Sequence, residues 1–177
     1  MKDFTLQLHI TDNCTHHCNH CYLNNRDYDR LDSKIITSSF DNLVNLTNYI
    51  SDIVGYEVDP VVHLTGGDPM LRKDIFELVE NATSKGVKVG LLGNPDTITK
   101  EKADRLFDAG ARSFQISMDG MESFHDKFRN KPGSFNESLR ALETLKSAGI
   151  VKIFVMCNVS NENIDQVPEL FSFLKER

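Results

Sequence analysis

Three of the four cysteines lie on one short stretch, Cys14-Thr15-His16-His17-Cys18-Asn19-His20-Cys21. Thiolates are soft ligands, and grouped in this way they select an iron–sulfur cluster or zinc. Their crowding argues against disulfides, and in a reducing compartment clustered cysteines point to metal or redox chemistry. Three is the informative count. A structural zinc site is closed by four ligands, often as two separated pairs. Here only His16, His17 or His20 could supply the fourth, and no second knuckle exists in the chain. A cubane cluster on three cysteines instead leaves one iron open to another ligand. Spacing alone keeps both metals in play. Cys157 stands apart in an apolar segment and reads as a small buried hydrophobe.

Other residues with chemical potential recur at regular intervals. Gly66-Gly67-Asp68-Pro69 would let backbone carbonyls approach a ligand closely, although the same residues also make ordinary turns. Gln115-Ile116-Ser117-Met118-Asp119-Gly120 precedes His125, Asp126 and Arg129. An arginine fork suits a carboxylate through paired hydrogen bonds. Asn94 and Asn158 are isolated polar residues after apolar runs.

The elements needed to position these groups alternate as strand and helix. Phe4, Leu6, Leu8 and Ile10 alternate with polar residues, which predicts a first strand. Further strands are expected at Val61–Thr65, Val87–Leu92, Ser113–Met118 and Ile150–Cys157. Helical spacing predicts helices from Ser38 to Val54, with Ser38 or Ser39 as cap, and from Asp74 to Lys85. Others are expected from Thr99 to Ala109 with Thr99 as cap, from Phe135 to Ala148, and from Asn163 to Lys175, where Pro168 must lie in the first turn or shift the start. Gly86, Gly110 and Gly149 supply helix stops. Such alternation implies parallel βαβ units, as a barrel-like arc or a doubly wound sheet. Both architectures place ligands at the carboxyl ends of strands, where the cysteine loop, Gly66–Pro69, Asn94, Asp119 and Asn158 all fall.

The bulk composition sets limits. The chain has 177 residues, 40% of them hydrophobic and 26% charged, with a formal net charge of −6. That fits one ordinary globular domain, residues 1–177, and gives no support to nucleic-acid binding. No apolar run reaches membrane-spanning length, and the first residues lack a signal peptide's pattern, so the expected location is the cytoplasm.

The CX3CX2C spacing after the first strand resembles the defining motif of the radical S-adenosylmethionine (SAM) superfamily. Gly66-Gly67-Asp68-Pro69 is similar to its GGEP motif, and the Gln115–Gly120 block with Arg129 resembles its peptide- and protein-modifying branch, which includes sulfatase and thioether-forming maturases. The resemblance implies an α/β partial parallel barrel of about five βα units. It implies that Cys14, Cys18 and Cys21 bind a [4Fe–4S] cluster whose fourth iron is chelated by SAM. It places Gly66, Gly67, Asp68 and Pro69 at the SAM amino group, and Ser117 and Asp119 near its ribose and methionine. Arg129 would pair with the carboxylate, Asn158 would lie near the ribose, and His20 would stand in the position often held by an aromatic beside the adenine. The implied partners are a peptide or protein substrate and a flavodoxin- or ferredoxin-like electron donor. A small-molecule substrate, as in carboxy-deazaguanine synthases, and a non-catalytic SAM- or cluster-binding subunit are the alternatives. The family's core has six βα units and its peptide-modifying branch carries auxiliary clusters further on; this chain carries five units and no such extension, which leaves three readings open: a piece of a longer enzyme, a naturally shortened one, or one whose barrel is completed by a partner chain or oligomer.

Overall fold

The computed structural model describes residues 2–23 and 30–176. Alternation of apolar and polar residues makes β1 (Lys2–Thr11), followed by β2 (Val58–Gly66), β3 (Lys88–Leu92), β4 (Ser113–Ser117) and β5 (Lys152–Met156). The strands pair in sequence order, every pair parallel. A doubly wound sheet would reverse its order at a switch point. Here the order never reverses, so the sheet is a singly wound arc, with its crossover helices on one face.

The crossovers carry α1 (Ser33–Val54), α2 (Ile75–Ser84), α3 (Lys100–Asp108) and α5 (Ser134–Ser147); the short α4 (Glu122–Phe128) precedes α5, and α6 (Val167–Lys175) follows β5. The core lies between helices and sheet: Ile36, Phe40 and Leu43 of α1 belong with Ile10, Val62, Leu64, Leu91, Phe114 and Ile116 of the strands. Strand residues one position out of phase form the other face, where Gln7, His63, Gly90, Ser113 and Lys152 stand in one row across the register. That face is polar, as the lining of a site requires.

Three elements depart from expectation. Helix α1 begins five residues before Ser38, with Asp32 as its cap, the carboxylate accepting the Lys34 amide at 2.7 Å. Ser38 and Ser39 sit inside the helix and return their hydroxyls to the carbonyls of Lys34 and Ile35. The apolar stripe already starts at buried Ile36, so the core draws the helix start back to the Asp32 cap. The second is α4, a seven-residue helix between β4 and α5, where no element is expected. The third is α6, which starts at Val167 and not at Asn163, the shift that puts Pro168 in its first turn; Thr99 does cap α3, accepting the Lys102 amide at 3.2 Å. Among the described residues no helix is long and apolar enough to cross a membrane.

Arg72 fastens the start of this architecture. It is 4% exposed. Its Nη1 donates to the carbonyls of Ile10 at 2.7 Å and Leu31 at 2.9 Å, and its Nη2 and Nε donate to Asp74 at 2.7 and 3.1 Å. Burial alone would raise the Asp74 carboxyl, but hydrogen bonds from Arg72 and Ser33 hold it below its ordinary value. Lysine keeps the charge and loses the fork. Arg72→Lys is therefore expected to cost about 2 kcal/mol in urea unfolding; an unchanged midpoint would show the fork to be dispensable.

Candidate active site

All five strand ends open on one cavity of about 540 Å³, within the range of small-molecule sites. Cys14, Cys18 and Cys21 line it after β1, Gly66 and Gly67 at the end of β2, Asn94 after β3, Ser117 at the end of β4, and Asn158 after β5. His20 and Arg129 also reach its wall.

The cysteine loop is held against β2 by backbone contact. The amides of Gly67 and Asp68 each donate at 2.7 Å, to the carbonyls of Thr11 and Asn13. A Cβ at Gly66 would run into the Thr11 carbonyl, and one at Gly67 into the Asn13 carbonyl. The glycine pair therefore lets two chain segments meet, with Gly66 at φ 136°. At the far end of the loop, the backbone and side-chain amides of Asn19 donate to the carbonyls of Phe128 and Lys127 at 3.1 and 3.0 Å. Helix α4 thus supplies an anchor for the metal loop.

The three histidines of the loop separate. His16 is buried, with Nε2 3.2 Å from Asp96. His20 stacks on Phe128, the ring centroids 4.1 Å apart, and burial pushes its imidazole below the ordinary value. His17 is exposed. Among the described residues, the one group of three or more His, Cys, Asp or Glu ligand atoms lying mutually within 4.8 Å is His16, Asp96 and Glu137. Cys14, Cys18 and Cys21 do not form such a group, so at least one pair of their sulfurs lies more than 4.8 Å apart, wider than the roughly 3.8 Å that Zn–S bonds of about 2.3 Å impose. A cubane accommodates wider spacing. The donor set and the adjoining cavity fit a cluster of that kind. Burial pushes the Cys18 thiol up, and Arg129, with Nη1 3.8 Å from the sulfur, works against that rise.

Asp68, Pro69 and Asp119 stand behind the cavity wall, which they do not line. The side chain of Asp68 turns inward to cap the short turn Pro69–Leu71, accepting the Met70 amide at 3.1 Å. Asp119 is fully buried. Its Oδ2 takes Arg129 Nε at 2.6 Å and its Oδ1 takes the Asn158 amide at 2.9 Å. Its own amide donates to His125 Nδ1 at 3.1 Å, and its carbonyl accepts Asn163 Nδ2 at 2.7 Å. One carboxylate thus ties the end of β4 to α4 and to the loop after β5. With Nδ1 accepting, the His125 proton is assigned to Nε2, facing the Ser134 hydroxyl at 3.2 Å. Burial, with Arg129 adding to it, pushes His125 down to about 4.

Asp68 makes a pH test possible. Burial pushes its carboxyl up to about 6, with Asp96 adding to the rise, while Thr97 and the amides of Met70 and Asn94 oppose it. A folded-state value above the unfolded one favours the folded state at low pH, and that advantage is lost as pH rises from about 4 through 6. The loss is on the order of 3 kcal/mol. His125 acts in the opposite sense over an overlapping range, so the comparison must be with a variant. The unfolding free energy of Asp68→Asn relative to the parent should rise by that order between pH 4 and pH 7; a difference independent of pH would contradict the assignment.

Sequence reading gives Gln115 no role and places Asn94 among the strand-end residues without assigning it one. Gln115 lines the cavity two positions before Ser117, and the period of two along β4 is the signal that places both on one face. Asn94 carried only its place at a strand end.

A sequence profile of the radical SAM superfamily matches residues 8–174. An AdoMet-dependent heme synthase of Oleidesulfovibrio alaskensis is 38% identical over 114 residues, 64% of this chain and 29% of that protein. The mycofactocin maturase MftC of Mycolicibacterium smegmatis is 38% identical over 109 residues, 61% of this chain and 28% of that one. In structure, anSMEcpe with bound AdoMet superposes at a TM-score of 0.77 and 21% identity, covering 98% of this chain and 48% of that one. This likeness supports the fold. The chain spans less than half the length of each of the three. With a profile match along almost its whole length, and grouped thiols opening on a strand-end cavity, the chain belongs to the radical SAM superfamily, whose enzymes use a [4Fe–4S] cluster and SAM.

Proposed function

We propose that Cys14, Cys18 and Cys21 hold three irons of a [4Fe–4S] cluster, that SAM binds in the adjoining cavity, and that the substrate is a peptide or protein side chain. The observation that carries the reading is the convergence of three thiols and five strand ends on one 540 Å³ space. When bound, the reduced cluster supplies one electron to SAM, releasing methionine and a 5′-deoxyadenosyl radical that removes a hydrogen atom from the substrate.

The chain's own residues bind and orient. Gly66 and Gly67 present backbone at the cavity wall, where a SAM amino group can approach. Arg129 has its Nε committed to Asp119, which aims the rest of the guanidinium at the cavity and at a SAM carboxylate. Ser117 and Asn158 offer a hydroxyl and an amide to the ribose. His20, neutral and stacked on Phe128, offers a flat face to the adenine. Asp68, Pro69 and Asp119 act from behind the wall by fixing the segments that touch ligand. Half-exposed thiols suit a reducing cytoplasm, and a flavodoxin- or ferredoxin-like protein is the fitting electron donor. Among the described residues β5 pairs only with β4, which leaves its outer edge open to a further strand.

Similarity to the maturase MftC supports the peptide reading. Similarity to a heme synthase favours a second one, in which a tetrapyrrole occupies the same opening. The test is anaerobic reconstitution with iron and sulfide, then SAM and dithionite, with 5′-deoxyadenosine as readout. A rise in turnover with a synthetic peptide library and none with a carboxylated iron porphyrin supports the peptide; the reverse pattern assigns the tetrapyrrole. A loaded cluster with no 5′-deoxyadenosine under any condition would make the chain a cluster-carrying subunit instead.

A further inference from the structure

The segment between β3 and α3 grips the cysteine loop. Asn94 Nδ2 lies 3.1 Å from the Cys14 sulfur and 3.1 Å from the Thr15 hydroxyl oxygen. Two residues on, Asp96 Oδ1 accepts the Thr15 hydroxyl at 3.0 Å and lies 3.2 Å from His16 Nε2. Lys131 holds the other oxygen of Asp96 at 2.6 Å. Burial would raise the Asp96 carboxyl, but hydrogen bonds from His16, Lys131 and Thr15 hold it well below the usual carboxylate range.

Asn94 is itself fixed from several sides. The Thr97 hydroxyl donates to its carbonyl at 3.0 Å. Arg140 of α5 donates to the carbonyls of Ile98 at 2.8 Å and Pro95 at 3.3 Å. A Cβ at Gly93 would sit 2.9 Å from Asp68 Oδ1 and 3.0 Å from the Phe114 ring, so the backbone just before Asn94 is packed tightly in place. The amide therefore points at Cys14 from a rigid support.

We propose that Asn94 is an outer-sphere positioning residue that donates a hydrogen bond to the Cys14 thiolate and thereby raises the reduction potential of the cluster. The inference rests on Cys14 being a cluster ligand, as proposed above. A reduced cluster places more negative charge on its sulfurs than an oxidised one. A donor aimed at sulfur consequently stabilises the reduced form more, and hydrogen bonds to sulfur are an established lever on cluster potential. Arg129 Nη1, at 3.8 Å from the Cys18 sulfur, is a longer and weaker counterpart. Asp96 acts one step further out, keeping Thr15 and His16 in place so that Cys14 stays within reach of Asn94.

The test is a redox titration of the reconstituted chain and its Asn94→Leu variant, followed by the EPR signal of the reduced cluster. Leucine keeps the volume and removes the donor. The variant is expected to hold the same iron and sulfide as the parent, with its midpoint shifted negative by about 59 mV, a tenfold change for a one-electron couple. Asn94→Gln, which retains an amide donor, should recover part of that shift. An unchanged midpoint in a fully loaded Asn94→Leu would overturn the proposal. So would loss of iron from both variants with the fold intact, because Asn94 would then serve loop assembly and not potential. Failure of the parent chain to take up a cluster would instead overturn the function proposed above, so the two failures are distinguishable.

Discussion

Cys14→Ser, Cys18→Ser and Cys21→Ser are each expected to abolish SAM cleavage and to lower iron retention by more than about 100-fold. Residues around a metal's ligands are already worth about 10–100-fold in affinity, and a ligand itself should exceed that. All three sulfurs line the same cavity and are only partly buried. The substitutions should therefore leave the apo fold within about 1 kcal/mol of the parent, so loss of iron cannot be ascribed to unfolding. Cys157→Ser is the control. Cys157 borders the cavity after β5, away from the loop, and its replacement should leave iron content unchanged. Full iron content in any of the three loop variants, by metal analysis after reconstitution, would remove that cysteine from the ligand set.

The second large effect is expected at Asp119. Asp119→Ala removes the partner of Arg129, whose side chain is only 13% exposed, and releases the Asn158 amide. Breaking a buried ion pair from one side leaves an uncompensated charge and costs about 3–5 kcal/mol. Urea unfolding of the apo chain measures that cost directly. Because Arg129 and Asn158 both lose their anchor, SAM affinity should fall as well, although Asp119 lies behind the cavity wall. A variant destabilised by less than about 1 kcal/mol, with SAM affinity intact, would show that the three loops hold one another without it.

The contrast between Asp119 and the cysteines indicates what a sequence displays. Three thiols at fixed spacing declare metal chemistry wherever they fold, because few other uses need three soft ligands on one loop. The βα rhythm is legible for a similar reason, since each strand has an apolar face toward the helices and α2, α3 and α5 run up to Gly86, Gly110 and Gly149. Asp119 and Asp68 look alike in the sequence, each an acidic residue beside glycine at a strand end. Their roles depend on which way the side chain turns, and that is decided by groups elsewhere in the fold: Arg129 and Asn158 for one, Asn94 and Thr97, together with the neighbouring Met70 amide, for the other. Helix α4 is hidden for a different reason. It has only seven residues, too few for a periodic stripe, and it is held by Asp119, His125 and the Asn19 contacts. Asn94 is the clearest example of what spacing cannot reveal. Eighty positions separate it from Cys14, and only the parallel alignment of β1, β2 and β3 brings them together.

We propose that these three thiols carry a cluster with one iron open to SAM. This is tested most directly by the EPR spectrum of the reconstituted, dithionite-reduced chain, recorded with and without SAM. The structure predicts one [4Fe–4S] cluster per chain and a signal whose shape changes when SAM is added, with the change lost in Cys14→Ser, Cys18→Ser and Cys21→Ser. A chain that binds zinc stoichiometrically and refuses iron, or a cluster signal indifferent to SAM, would contradict it.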